Sequence, residues 1–120
     1  MDKLQRLHSF WSSFNLPAYD ENSVPDSATL PYITYEAVTD DFNNTVFISA
    51  SLWYRATSWV AIETKQKEIA EYISKGGRYC KYDGGAFWVR KSHPWSQRMA
   101  EPSDDMVRRI ILNIIIEYID

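Results

Sequence analysis

The stretch at residues 106–119 constrains the fold of this chain more than any other. Six of its residues are isoleucine, and β-branched side chains favour a pleated strand over a helix. At a two-residue period, one face of this strand is wholly apolar and consists of Ile110, Leu112, Ile114, Ile116 and Tyr118. The opposite face mixes apolar and polar residues and consists of Arg109, Ile111, Asn113, Ile115, Glu117 and Ile119.

Apolar side chains on both faces mean that both faces of this strand require cover. One layer of helices can cover only one face, so the other needs a second sheet, a loop or another subunit. A long apolar strand at an open edge would aggregate. We therefore expect residues 106–119 to form a central strand or to lie at an interface.

The first half of the chain predicts a helix followed by a β-hairpin. Residues 2–14 place apolar side chains at helical spacing. Prolines among Asp, Asn and Ser residues predict a loop or an extended crossover at residues 17–31. Strands are predicted at residues 32–40 and 45–55, paired antiparallel and joined by a turn at residues 41–44.

The second half predicts another helix, a second hairpin and the terminal strand. The helix covers residues 59–74 and ends at a Gly-Gly pair. Residues 78–82 and 86–91 form a hairpin across an Asp-Gly-Gly turn, and residues 92–105 form an irregular segment with two prolines. This order predicts one α+β domain, with an antiparallel sheet of about five strands and helices packed on one face.

Charge is distributed unevenly along the chain. Residues 16–54 contain six carboxylates and no Lys or Arg, whereas residues 75–98 contain six basic residues and one Asp. Such blocks can attract a partner, or guide one copy of the protein onto another. The simpler alternative is that folding intermingles the two blocks into a neutral surface.

The sequence contains no catalytic signature. Cys80 is the only cysteine, which excludes an internal disulfide, and with two histidines it leaves no cluster for a metal site. His93, in a loop, is predicted to be structural, and Cys80 to be a small buried residue. We expect no enzymatic activity and no cofactor. Because no segment resembles a signal peptide or a membrane span, a cytoplasmic origin is expected.

A second function class considered is nucleic-acid binding, since residues 75–98 interleave basic and aromatic side chains. A formal net charge of −3 and the absence of a recognised nucleic-acid module argue against it. Strand alternation also turns about half of these aromatic residues towards the core. We interpret them as core and protein-interface residues, and we expect no sequence-specific nucleic acid and no membrane as partners.

Residues 30–59 and 81–119 resemble tail completion or tail terminator proteins, some called minor capsid proteins, of long-tailed phages and prophages of Gram-positive bacteria. The phrases that carry the resemblance are Pro31-Tyr32-Ile33, Trp53-Tyr54-Arg55, Tyr82-Asp83-Gly84-Gly85, Gln97-Arg98-Met99 and Asp104-Asp105. The resemblance implies an α+β virion subunit that forms a ring, typically a hexamer, on the end of the tail tube. Such a ring ends tube polymerisation and docks to the capsid.

The partners implied are copies of the chain itself, the tail tube protein and the head–tail connector proteins. The implied location is the tail–capsid junction of a virion made in the bacterial host cytoplasm. Two alternatives stay open. One is another neck component, such as a connector or stopper, and the other is a monomeric binding domain with an unknown ligand.

Charged and adaptable side chains mark a candidate oligomer or docking surface. Its predicted members are Arg90, Lys91, Arg98, Met99, Asp104, Asp105, Asp40 and Asp41. Long irregular segments that mix charge with apolar residues suit docking, which favours residues 92–105 for this role. The alternative is a plain crossover that returns the chain to the sheet.

Overall fold

The computed structural model describes residues 1–38 and 44–120 and shows a six-stranded sheet with two helices. The elements in chain order are α1 (Lys3–Ser12), β1 (Ala18–Asp20), β2 (Tyr32–Tyr35), β3 (Thr45–Arg55), α2 (Val60–Ile73), β4 (Arg78–Tyr82), β5 (Gly85–Met99) and β6 (Val107–Ile119). The strand order is β1-β2-β3-β6-β5-β4. The α+β class is therefore confirmed, and the terminal strand is central, as expected.

Strand β6 organises the core because its apolar face is completely buried. Its residues Ile110, Leu112, Ile114, Ile116 and Tyr118 are each at most 1% exposed. Both helices contribute to this same core, α1 through Leu7, Phe10 and Trp11 and α2 through Ile62, Ile69 and Ile73. The two helices therefore lie on one face of the sheet, which we call the inner face.

The sheet differs from the prediction in having a sixth, parallel strand. Strand β1 lies within the stretch predicted as a loop, and it pairs with β2 in parallel, so the sheet is mixed. The Ile33 amide donates a hydrogen bond to the Pro17 carbonyl (2.8 Å), and the Glu21 amide donates one to the Tyr35 carbonyl (2.9 Å). A three-residue strand held by a distant partner leaves no periodic pattern in the sequence.

Strand β2 is shorter than predicted, ending at Tyr35 rather than continuing to residue 40. Beyond the Tyr35–Ala50 pair, the Glu36 carboxylate accepts a hydrogen bond from the Ser49 amide (2.9 Å). The Glu36 amide still donates a hydrogen bond to the Ser49 carbonyl (3.2 Å), but the side chain replaces the Glu36 carbonyl as acceptor for Ser49, and the ladder ends there. Most of the predicted turn at residues 41–44 lies outside the described residues.

The segment predicted as irregular at residues 92–105 is in large part a strand. Strand β5 runs to Met99 and pairs with β6 on both sides of a bulge, in which residues 92–95 lie opposite Asn113 alone. The side-chain amide of Asn113 donates a hydrogen bond to the Pro94 carbonyl (3.0 Å), where the backbone ladder is interrupted. Proline lacks an N–H and is tolerated in a sheet at such bulges. Pro94 therefore marks a bulge within β5, whereas Pro102 lies in the turn between β5 and β6.

Gly77 is required by the connection from α2 to β4. Its φ is +82°, and a Cβ atom there would lie 2.4 Å from Trp88 Nε1 and 2.5 Å from the Val89 carbonyl oxygen. At the neighbouring Gly76 a Cβ would meet nothing within 4 Å.

We expect Gly77→Ala to lower the free energy of unfolding in urea by roughly 2–4 kcal/mol, because it combines a strained φ with a clash against backbone. The control, Gly76→Ala, should change stability by less than about 1 kcal/mol. Equal losses in the two variants would contradict this account of the connection.

Candidate interaction surfaces

The face of the sheet opposite the helices, which we call the outer face, carries large apolar side chains in partial contact with solvent. On β6, Ile111 and Ile115 are partly exposed. In register with Ile115 lie Phe47 of β3, which is 73% exposed, and Arg90 of β5. Because both helices of the described chain pack on the inner face, this second apolar face of β6 has no helical cover.

Two arginine–tryptophan pairs add to the outer face. The guanidinium of Arg109 lies 4.5 Å from the centre of the Trp53 ring, and that of Arg90 lies 4.4 Å from the Trp88 ring. Arg109 Nε also donates a hydrogen bond to Ser51 Oγ (3.2 Å). A cation over an aromatic ring is a favourable contact, and Arg and Trp are enriched at protein interfaces. The composition of this face suits contact with another protein.

The aromatic residues of the 75–98 segment divide between the two faces, as alternation predicts. Phe87 is fully buried in the core, and Trp95 donates a hydrogen bond to Gln66 of α2 (2.6 Å). Tyr79 and Trp88 are paired across β4 and β5, and Tyr79 is largely exposed. The segment therefore does not present its aromatic residues as one continuous stacking platform.

The predicted docking residues occupy several separate places. Arg90 and Lys91 line a cleft of about 380 Å³ beside the β5 bulge, together with His93. Arg98 turns towards α2, where its guanidinium contacts the Glu63 carboxylate at 2.8 Å. Met99 is 37% exposed at the end of β5.

The acidic members of the predicted docking set lie elsewhere. Asp104 forms an ion pair with Arg55 (3.2 Å), and the Met106 amide donates a hydrogen bond to its carboxylate (2.9 Å). The bond from Met106, and then the Arg55 charge, lower the pKa of Asp104. Asp105 is exposed in the same connection. Asp40 and Asp41 fall outside the described residues, so a single docking surface formed by this set stays a prediction.

The two charge blocks lie at opposite sides of the sheet. Strands β1, β2 and β3, which come from the acidic block, form one side, and β4 and β5, from the basic block, form the other. Among the described residues, 1–38 and 44–120, no ion pair joins the acidic block to the basic block. In the part of the chain that the structure describes, folding therefore keeps the blocks apart instead of intermingling them.

A second groove of about 680 Å³ lies beside α1. Its walls are Met1, Leu4, Gln5, His8, Ser9, Asp20 and Tyr35. His8 Nδ1 lies 3.0 Å from the Tyr35 hydroxyl, and burial together with the Asp20 charge raises the pKa of Tyr35. The His8–Tyr35 contact joins α1 to β2.

The side chains with catalytic or metal-binding potential include the thiol of Cys80. Cys80 is buried, and burial raises the pKa of its thiol. Within the described ranges, no cluster of three or more His, Cys, Asp or Glu side chains has the arrangement of a metal site. Nor does any helix there combine the length and apolarity needed to cross a membrane.

Sequence reasoning missed Phe47, Trp53 and Trp88 as outer-face residues. Alternation within β3 and β5 places each of these residues on the face opposite the buried side chains, and this pattern could have identified them from the sequence. Their grouping around Ile115 and Arg109 depends on strand register, which the sequence does not encode locally.

Comparison with known proteins relates the fold to that of a particle component. No protein-family model and no curated protein sequence matches the chain. A solved structure described as the virion of native gene transfer agent (GTA) particle contains a similar chain, with a TM-score of 0.56 and 14% sequence identity. The match covers 93% of this chain and 83% of that one. The protein therefore shares its fold, over nearly its whole length, with a chain of that particle.

Proposed function

We propose that this chain is a virion structural protein that caps the tail tube of a phage-like particle, ends tube polymerisation and joins the tail to the capsid. The observation that carries the proposal is the uncovered outer face of a sheet whose fold is similar to that of a chain in a virion-like particle. The motifs that resemble tail terminators support the finer role. This function needs complementary surfaces and requires neither catalysis nor a cofactor.

The chemistry of the outer face supports a protein partner. Phe47 leaves most of its ring in water in the isolated chain, and the Arg109–Trp53 pair lies on the same surface. Soluble monomers seldom leave grouped large apolar residues exposed, and such groups mark interaction sites. A particle subunit covers such a surface by assembly.

The partners in this proposal are further copies of the chain in a ring, with six-fold symmetry as the expectation, the tail tube protein and the head–tail connector proteins. The subunit is made in the host cytoplasm and resides at the tail–capsid junction. The second candidate is another neck component, a connector or stopper, which the same fold similarity also supports.

Deleting the gene from its phage-like genome tests the proposal. Electron micrographs of the lysate should show filled capsids without tails beside free tails of uncontrolled length. Tails of normal length that fail to join would favour the neck component. Particles with normal morphology and full infectivity would end the virion proposal.

Complementation of this deletion links the function to the outer face. We expect Phe47→Ser to fold but to restore fewer than about one tenth of the joined particles, because interface centres contribute most of the binding energy. The matched control is Val60→Ser, since Val60 is 72% exposed on α2, away from the outer face. If Phe47→Ser complements as well as Val60→Ser, the outer face has no role in assembly.

A further inference from the structure

The sheet has two outermost strands, and they carry opposite charge. Strand β1 ends at the partly buried Asp20, which lines the groove beside α1, and is followed by the exposed Glu21. Strand β4 exposes Arg78 and Lys81. Because β1 and β4 are the first and last strands in the sheet order, these charges mark its two edges.

These edge charges are not neutralised by their own subunit. Arg78 donates a hydrogen bond to the Tyr72 carbonyl (2.5 Å) and lies over the Tyr72 ring, but it contacts no carboxylate within the described ranges. Among those same residues, Asp20, Glu21 and Lys81 form no ion pair. Each edge therefore keeps a net charge that a complementary surface can bind.

An edge strand also offers unpaired backbone groups. On β4 the side chain of Cys80 is buried in the core, while Arg78, Tyr79 and Lys81 are exposed. Directly after β4, the Asp83 amide donates a hydrogen bond to the Met1 carbonyl (2.8 Å). Two β4 edges repel each other because both are basic, and two β1 edges repel because both are acidic. A β4 edge and a β1 edge attract.

We infer that copies of this chain associate head-to-tail, with the basic β4 edge of one copy against the acidic β1 edge of the next. The inference rests on the proposed role as a self-associating subunit and assigns the surface for that contact. A contact between two different surfaces leaves each copy with one free acidic edge and one free basic edge. Repetition therefore generates a closed ring when the rotation closes, and a filament when it does not.

The opposing explanation is that short strands and edge charges protect the sheet from pairing at all. Charge-reversal variants distinguish pairing between the edges from protection against pairing. Lys81→Glu with Arg78→Glu makes both edges acidic, and Glu21→Lys with Asp20→Lys makes both edges basic. Because Arg78 and Asp20 make hydrogen bonds within the subunit, the single variants Lys81→Glu and Glu21→Lys serve as a second set that disturbs the fold less.

The measurement is sedimentation velocity over a range of protein concentrations at low salt. The wild-type chain should associate, and higher salt should weaken this association because the Debye length falls to about 8 Å near 0.15 M. Each double variant alone should associate at least about ten-fold more weakly than the wild type. An equimolar mixture of the two should regain association, with both variants in every assembly, because all contacts then join opposite charges. Lys67→Glu on α2 is the charge-matched control for Lys81→Glu and should behave as wild type.

A wild-type chain that stays monomeric at every concentration, or a mixture that fails to regain association, would overturn the inference. So would double variants that associate as the wild type does. These outcomes leave the virion proposal intact, since that proposal is decided by the deletion particles.

Discussion

Ile114→Asp is expected to remove most of the stability of this fold. Ile114 is 0% exposed at the centre of β6, between Ile48 of β3 and Lys91 of β5 in register. A carboxylate at this position would be desolvated in the apolar core, which costs several kcal/mol even with Lys91 as its cross-strand neighbour. Since single domains are stable by about 5–15 kcal/mol, urea or thermal unfolding should show a protein largely unfolded or close to it at 25 °C.

The adjacent residue provides the control. Ile115 lies on the outer face, is partly exposed and faces Arg90 in register. Ile115→Asp leaves its charge partly in contact with water beside the Arg90 guanidinium, so it should cost about 1–2 kcal/mol, well below the cost of Ile114→Asp. If both variants unfolded alike, the division of β6 into a buried and an exposed face would be wrong.

Trp11→Ala is expected to have the next largest effect, because it detaches α1 from the sheet. Trp11 is fully buried, stacks on Tyr35 with ring centres 6.4 Å apart, and meets the edge of Phe10 at 4.9 Å. Truncating a buried Trp to Ala costs about 3–5 kcal/mol. Circular dichroism melts would show this as a large fall in Tm.

Trp11→Phe separates the packing of the ring from its polar atom. The Nε1–H group of Trp11 is buried and has no hydrogen-bond partner among the described residues. Phenylalanine removes this unpaired donor and keeps most of the apolar contact, so we expect a loss of only about 1–2 kcal/mol. A Trp11→Ala melt that matched Trp11→Phe would show that α1 is not anchored by this side chain.

Local sequence signals predicted the elements that depend on them. The alternation of residues 106–119 gave β6 and identified its buried face. The Gly-Gly pair after α2 located the start of β4, and the Asp-Gly turn located the connection between β4 and β5, with Gly85 already in the strand. The end of β5 lies at Met99, beyond the predicted residue 91. Each of these signals acts within a few residues, so the sequence displays it directly.

The features that sequence reasoning missed depend on distant partners. Strand β1 exists because Ala18 and its neighbours pair with β2. Strand β2 ends where the Glu36 carboxylate accepts a hydrogen bond from the Ser49 amide. At the β5 bulge, the side-chain amide of Asn113 donates a hydrogen bond to the Pro94 carbonyl. No local pattern encodes such pairings.

For the candidate interaction surface, too, local sequence signals were predictive and long-range pairings were not. That β6 has a second apolar face was evident from its alternation, but the grouping of Phe47 and Trp53 around it required the register of β3. Arg98 looked free for docking in the sequence, yet it contacts Glu63 on α2.

The central position of β6 also determines when this protein can fold during its synthesis. Strands β3 and β5 are made first, and both lack their common neighbour until residues 107–119 have left the ribosome. Until then their apolar faces remain open to chaperones and to other nascent chains, and local pairing alone cannot bury them. Such long-range pairing is slow compared with helix formation. The sheet is therefore completed only after translation has delivered its central strand, so assembly that uses the completed sheet can begin only after β6 has been synthesised.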